Sequence, residues 1–290
     1  MQFPWISTLF LAPLLAGCVS DQGFHMEQDI PTPAEEDTAP PVEAPPDVPV
    51  AVCDVSPNPI TPPFEEATWN GTDSYDPNGY DIVEWEWTLA SQPEGSAVRL
   101  PPGDGAIRDG FVPDLAGEYV GQLIVANEIG DVSEPCQVTL ESIPAEDLWI
   151  EMYWAVPADD MDLHLVRPGG QIESNDDCYY MNCVGGGPDW GVRSDKDDDP
   201  SLDLDDIPGT GPENINILQP ESGEFTVYVH DYSGSNWGEA GADTREGNDV
   251  TVNVYLNGSQ VWSNTKAITG EDNYTPFCRV DWEAGTVDSM

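Results

Sequence analysis

Residues 82–89 read Ile82-Val83-Glu84-Trp85-Glu86-Trp87-Thr88-Leu89, an alternation of apolar and polar side chains that predicts a half-buried β-strand. The preceding residues, Asp76-Pro77-Asn78-Gly79, predict a turn, because Pro fixes φ and Asn-Gly accepts positive φ. A later run, residues 118–127, alternates in the same way and ends in another turn sequence. No stretch has a helical period. Residues 50–145 are therefore predicted to form an antiparallel β-sandwich.

A second group of strand sequences follows over residues 147–283. Residues 148–154, 159–166, 224–230 and 250–256 are strand-like, and Asn257-Gly258 predicts a hairpin turn into residues 260–262. Residues 277–282 are expected to close the sheet. The chain is thus predicted to be all-β, with two antiparallel sandwiches, of which the second is either a sandwich or a jelly roll.

The charge balance restricts the function. The 290 residues include 55 Asp plus Glu against 8 Lys plus Arg, a net charge of −47. Such a surface repels phosphate backbones and anionic headgroups, which argues against nucleic-acid binding and peripheral membrane binding. It attracts cations, either at specific calcium sites or as a diffuse counterion layer. Adaptation to a salty environment would produce the same composition without any specific site.

The N-terminus has the features of an exported protein. Residues 3–15 are mostly apolar but too few to span a bilayer, which is typical of a signal peptide. The following Leu15-Ala16-Gly17-Cys18 resembles a bacterial lipobox. That resemblance implies a signal peptide over residues 1–17 and a lipid anchor on Cys18, although no Lys or Arg precedes the apolar run. An ordinary signal peptide with an unrelated Cys is the alternative.

Two further features bear on placement. Val19 follows the Cys where an Asp would favour inner-membrane retention, so an outer-membrane lipoprotein, periplasmic or surface-exposed, is expected. Residues 18–49 are rich in Pro, Glu and Asp, which predicts an extended, disordered tether between the membrane and the folded units.

The first folded unit resembles a known family. Residues 74–79, 86–89 and 111–119 occur in the order and spacing of a polycystic-kidney-disease-type (PKD) domain. Residues 91–97 depart from the commonest version, which has a Gly-Asp-Gly turn there. The resemblance implies an extracellular spacer or interaction module, and it brings no catalytic residues.

The second unit resembles the YfaP-type domain of unknown function. The resemblance lies in residues 160–165, 201–205, 211–215 and 223–230. It implies a secreted β-domain of surface proteins, without an established activity.

An acidic loop over residues 195–206 suggests a cation site. Five Asp residues match EF-hand ligand positions, but Pro200 replaces the essential Gly, Asp206 replaces the bidentate Glu, and no helices flank the loop. A looser cage of oxygens is the better interpretation, holding Ca²⁺. Its candidate ligands are Asp160, Asp162, Asp203, Asp205 and Glu213. A solvated acidic face without a bound ion is the alternative.

The cysteines predict disulfides, as is usual in exported proteins. Cys53 and Cys136 lie near the two ends of the first unit and are expected to pair. Cys178 and Cys183 are the first choice for a second, small loop. A disulfide from Cys278 to either of them is the alternative.

Catalytic motifs are absent from the sequence: we find no nucleophile elbow, no His-Glu-x-x-His and no phosphate-binding Gly loop. His164 and His230 either bind a transition metal with a nearby Asp or hydrogen-bond within the sheet. Several loop aromatics either stack on sugar rings or pack beneath the loops, namely Tyr179, Tyr180, Trp190, Tyr232 and Trp237.

These observations predict a non-enzymatic, lipid-anchored surface protein of the bacterial envelope, either binding or structural and stabilised by calcium. Its partners would be the membrane, through Cys18, and a protein or glycan at the cell surface. An accessory carbohydrate-binding protein and, behind it, a metal-dependent hydrolase are the alternatives.

Overall fold

The computed structural model describes residues 47–157, 159–207, 209–232, 247–269 and 272–290. The predicted signal peptide, the lipidation residue Cys18 and nearly all of the 18–49 tether lie outside these ranges. Within them the regular structure consists of β-strands alone, and none of it is a helix of the length and apolarity needed to cross a membrane. The predicted all-β fold class is confirmed.

The first sandwich consists of two three-stranded antiparallel sheets, ordered β1-β2-β4 and β3-β5-β6. The strands are β1 (Asp54–Ser56), β2 (Ala67–Asn70), β3 (Ile82–Ser91), β4 (Ile107–Phe111), β5 (Gly117–Asn127) and β6 (Cys136–Ser142). Between the sheets, Phe111 makes edge contacts with the rings of Trp69 and Tyr119, each at 5.5 Å between centroids. All three rings are buried in this core.

The strand β3 is longer and more exposed than its alternation predicts. It continues to Ser91, and only Trp87 among its side chains is fully buried. In the described chain β3 pairs with β5 alone, so it is an edge strand. The disulfide Cys53–Cys136 connects the segment before β1 to the start of β6, as predicted.

The second sandwich consists of two five-stranded sheets, ordered β10-β11-β7-β13-β14 and β16-β15-β12-β8-β9. The strands are β7 (Leu148–Trp154), β8 (Met161–Val166), β9 (Asp177–Cys178), β10 (Ser201–Leu204), β11 (Glu213–Ile217), β12 (Glu224–Asp231), β13 (Asn248–Leu256), β14 (Ser259–Ile268), β15 (Asn273–Asp281) and β16 (Thr286–Ser289). The predicted end of this unit, residue 283, is too early, because β16 pairs with β15 through Ser289.

The predicted Asn257-Gly258 turn joins β13 to β14. Asn257 and Gly258 have φ of 51° and 74°. Positive φ at both central residues defines the turn whose twist matches that of a hairpin. The turn therefore sets the register between these two strands.

Strand β8 is buried on both faces. Met161, Leu163 and Leu165 point into the core between the sheets. Asp162 and His164 alternate with them on the opposite face, yet they are equally inaccessible to solvent. A strand in an antiparallel sheet often has one solvent-exposed face. Because the polar face of β8 is buried, another segment of the chain must cover it. The cover is the loop that follows β9, and the candidate site lies at its edge.

The two sandwiches contact each other through a buried carboxylate. Glu151 of β7 is 1% exposed and accepts a hydrogen bond at 2.9 Å from the backbone N–H of Ala116 in the first sandwich. Its other oxygen accepts from Asn253 and from Tyr255 at 3.1 and 3.3 Å. Burial raises the pKa of Glu151 to about 7, although these donors act against the shift. Glu151 thus connects the two sandwiches, and the desolvation of its buried carboxylate opposes this contact energetically.

Candidate cation site

Three carboxylates converge at one edge of the second sandwich. They belong to Asp162 of β8, Asp205 in the loop after β10, and Glu213 at the start of β11. One oxygen from each lies within 4.8 Å of the others. Convergence of acidic oxygens from separate segments is how a protein forms a site for a hard cation.

Glu213 is the most buried of the three. It has the parity of Ile215 and Ile217, which point into the core, so its side chain also lies between the sheets. It is 1% exposed. One oxygen accepts a hydrogen bond from the backbone N–H of Leu163 in the opposite sheet at 2.8 Å. The other oxygen, Oε1, has no hydrogen-bond partner in the described structure, and such an atom is costly to bury.

Two aspartates, one just before β8 and one within it, are also buried and have a side-chain oxygen without a hydrogen bond to a described residue. Asp162 is 4% exposed, and its Oδ2 has no hydrogen bond to a described residue; His230 Nδ1 lies 3.5 Å away. Asp160 is 6% exposed and its Oδ1 also lacks a partner in the described chain. Buried polar atoms in folded proteins are nearly always paired, so the partnerless oxygens of Glu213 and Asp160 indicate a missing positive partner, whereas Asp162 Oδ2 has His230 as an ion-pair partner.

The electrostatics point the same way. Burial, followed by the neighbouring carboxylates, raises the pKa of Asp160 to about 7. Burial and the charge of Asp162 raise the pKa of Glu213 well above its usual value, and the pKa of Asp205 is raised for the same reasons. The charged form of each group is therefore disfavoured where no cation is bound. A divalent cation would relieve the repulsion.

Asp203 does not belong to the converging group, although the sequence analysis included it. Its Oδ2 accepts a hydrogen bond from Asn216 at 2.7 Å, and its Oδ1 accepts from Ser201 at 2.8 Å. The pairing of β10 with β11 shifts register between Leu202 and Leu204. The strand ends there, and of the two aspartates only Asp205, in the loop that follows, joins the cluster.

The acidic loop itself is held by local hydrogen bonds. Asp199 accepts from the backbone N–H of Trp190, and Asp198 accepts from that of Val192. Asp206 accepts from two backbone N–H groups, those of Gly209 and Gly211. These side chains cap turns, as Asp residues commonly do, and they do not form an EF-hand.

The histidines lie beside the cluster but outside it. His164 Nδ1 is 2.8 Å from Asp177 Oδ2, and its ring stacks on Tyr179 at 4.9 Å. The ring of His230 stacks on Tyr274 at 4.2 Å and lies 5.8 Å from that of His164. The converging group found among the described residues contains neither histidine. Hydrogen bonding within the sheet is the better interpretation of both.

The loop aromatics take different positions. Trp190 is 1% exposed and donates its indole N–H to the backbone of Asn175, so it is a core residue. Tyr179 is buried against His164. Tyr180 and Tyr232 instead line a cleft of about 210 Å³ together with the acidic residues Asp160, Asp162 and Asp205 and with Ile207. Trp237 lies outside the described residues.

The disulfide Cys178–Cys183 closes the short loop that carries Tyr179 and Tyr180, as predicted. It fixes the position of Tyr180 beside the carboxylates. Cys278 is buried and is not part of a disulfide. The contribution of Tyr180 and Tyr232 to the cleft was not predictable from spacing, because they are 52 residues apart and meet only through the fold.

Comparison with known proteins gives limited information. No family model and no curated protein matches this chain. A solved structure described as the basis for the promiscuous specificity of carbohydrate-binding modules from the β-sandwich superfamily is similar, with 16% identity and a TM-score of 0.27, covering 64% of this chain and 97% of that one. This likeness is too low to transfer a function.

Proposed function

We propose that this protein is a non-catalytic binding or structural module of the bacterial envelope, and that its second sandwich binds a divalent cation of the calcium class. The proposed ligands are Asp162, Asp205 and Glu213, with Asp160 adjacent. The observation that carries the proposal is Glu213 Oε1, a buried oxygen without a hydrogen-bond partner that belongs to a group of converging carboxylates.

The donor set favours calcium over other metals. Its members are all carboxylates, and hard cations prefer oxygen, whereas zinc sites usually contain His or Cys. The three ligands come from separate segments of the chain. Calcium tolerates irregular geometry, while magnesium requires a near-ideal octahedron.

Surface display is part of the same proposal. The lipobox-like sequence at Cys18 and the tether over residues 18–49 would hold the sandwiches away from an outer membrane. The two disulfides fit such a location, because disulfides persist in oxidising compartments. The resemblances to PKD and YfaP-type domains support display and contact with a surface partner over catalysis.

The proposal is tested by thermal unfolding of the purified protein. Calcium should raise Tm in a saturable way, and a chelator should reverse the rise. Sodium chloride at equal ionic strength is the control, because it screens repulsion without occupying a site. Equal shifts from both salts would contradict a specific site and would make the acidity a general solvation feature.

Accessory carbohydrate binding is the second candidate function, and the position of Tyr180 and Tyr232 favours it. Both rings line the cleft beside the carboxylates. They lie at 74° to each other, with centroids 5.7 Å apart, so they do not form a flat stacking platform. Recognition of a sugar here would have to rely on more than ring stacking.

A further inference from the structure

We infer that the cation at this site keeps coordination positions open toward the cleft that Tyr180 and Tyr232 line, and that neighbouring hydroxyl groups of a neutral saccharide fill them. The inference rests on the proposed function, because it requires the cation. It adds the chemical class of ligand and the way in which that ligand is held.

Among the described residues, the three converging carboxylates bring one oxygen each to the site, fewer than a calcium ion requires. Calcium takes about six to eight oxygen ligands. Glu213 offers only Oε1, since its other oxygen accepts the Leu163 N–H. Asp162 Oδ2 already forms an ion pair with His230 at 3.5 Å. The converging carboxylates therefore leave several positions for water or for a bound molecule.

The open positions face a defined space. Glu213 closes the inner end of the site, between the two sheets, while Asp205 is exposed at the outer end. Asp162 and Asp205 also line the cleft of about 210 Å³. Pockets for drug-sized ligands are roughly 300–1,000 Å³. The cleft therefore suits one edge of a single sugar ring.

Charge and hydrogen bonding favour a neutral hydroxyl ligand over an anionic one. The net charge of −47 repels a carboxylate or phosphate. A hydroxyl group has a proton to donate, whereas a carboxylate only accepts. Asp160 Oδ1 is buried without a partner and can accept that proton while the hydroxyl oxygen binds the cation.

The two tyrosines supply the remaining contacts. Tyr232 is 37% exposed and lines the cleft together with Ile207. Aromatic rings pack on the C–H faces of sugars, and the tyrosine hydroxyl hydrogen-bonds at the rim. The site thus combines cation coordination, a proton acceptor and an apolar wall, which together match a saccharide with neighbouring hydroxyls.

Terbium luminescence tests the open coordination. Tb³⁺ replaces Ca²⁺, is excited by nearby tyrosines, and reports its bound waters through its lifetimes in H₂O and D₂O. We expect the purified protein to bind Tb³⁺ with several waters retained. Absence of bound Tb³⁺ and Ca²⁺ would refute the proposed function. A bound ion without coordinated water would refute the open positions while leaving the cation site intact.

An array of neutral hexose and deoxyhexose glycosides tests the ligand class, read in calcium and again in chelator. Linkage between cation and ligand predicts an about tenfold loss of binding in chelator, within the usual coupling range. Glycosides that bind should also lower the number of waters on Tb³⁺. Tyr232→Ala should weaken saccharide binding but keep calcium binding. Tyr80→Ala, which removes a tyrosine of similar exposure (40%) from the first sandwich, is the matched control.

The contradicting results are distinct. Calcium binding without any calcium-dependent glycoside would overturn the ligand class, and so would calcium-dependent capture of an acidic peptide in place of a glycoside. Equal losses in the Tyr232→Ala and Tyr80→Ala variants would show that the cleft wall is not part of the site.

Discussion

Glu213→Gln should have opposite effects on stability with and without calcium. Without calcium, the amide oxygen can still accept the Leu163 N–H, and the amide N–H₂ can donate to Asp162 Oδ2, which has no hydrogen bond to a described residue. A hydrogen bond to a charged group contributes about 1.5–3 kcal/mol. The variant should therefore unfold at a higher temperature than the wild type in chelator, by roughly 3–10 °C for a domain of this size.

With calcium the order should reverse. A ligand at 100 times its Kd stabilises the folded state by about 2.7 kcal/mol, equivalent to roughly 5–10 °C here. The variant lacks the innermost charged ligand and should gain little of this increase. Differential scanning calorimetry at fixed ionic strength, in calcium and in chelator, measures both changes.

A matched substitution separates the site from general charge removal. Glu224→Gln removes one negative charge from β12, where the exposed Glu224 carboxylate lies 3.5 Å from Arg279. It should leave the calcium-dependent rise in Tm unchanged. If Glu213→Gln lowered stability in chelator, or kept the full calcium response, the reasoning from buried and unpaired oxygens would be refuted.

Three further predictions follow from other parts of the molecule. Folding raises the pKa of Glu151 from its ordinary 4.5 to about 7, so the folded state holds this proton more tightly and stability should fall between those pH values as pH rises, by about 3 kcal/mol. In calcium, Glu151→Gln should flatten that part of the curve of unfolding free energy against pH, and an unchanged slope would show that another group is responsible. Removing the Cys53–Cys136 disulfide, which closes a separation of 83 residues, should cost roughly 4 kcal/mol in denaturant unfolding, and a loss below 1 kcal/mol would contradict a role in stability. Palmitate labelling of the protein in bacteria should be lost in Cys18→Ser, whereas persistent labelling would place the lipid elsewhere.

Much of the cation site could be predicted from the sequence, because acidic residues are rare at buried strand positions. Asp162 alternates with Leu163 and Leu165, and Glu213 precedes a β-type run, so both were recognisable as carboxylates at the edges of strands. The sequence analysis grouped them as candidate ligands of one cation. The structure adds the distances and the buried, unpaired oxygens.

Asp203 shows where sequence spacing is insufficient. Asp203 and Asp205 are two residues apart, and a regular strand would place both on one face. The register shift in β10 and the end of the strand at Leu204 break that relation. A one-residue irregularity of this kind depends on the pairing with β11 and leaves no mark in the local sequence.

Contacts between distant segments could not be predicted from the sequence either. Tyr180 reaches the cleft because a disulfide holds its loop over β8, and Tyr232 follows the last residue of β12. The connection between the sandwiches through Glu151 and the Ala116 N–H joins residues 35 positions apart. Periodicity describes one element at a time, so it predicted the strands and the turn at Asn257-Gly258 but not these junctions.

Isothermal titration of calcium into the purified protein tests the central claim most directly, with wild type, Glu213→Gln and Asp203→Asn compared at one ionic strength. A single saturable site in the wild type and in Asp203→Asn, absent from Glu213→Gln, is the expected result, because Asp203 pairs with Asn216 outside the cluster. Equal calcium binding by the wild type and Glu213→Gln, or no saturable binding by the wild type, would contradict the cation site.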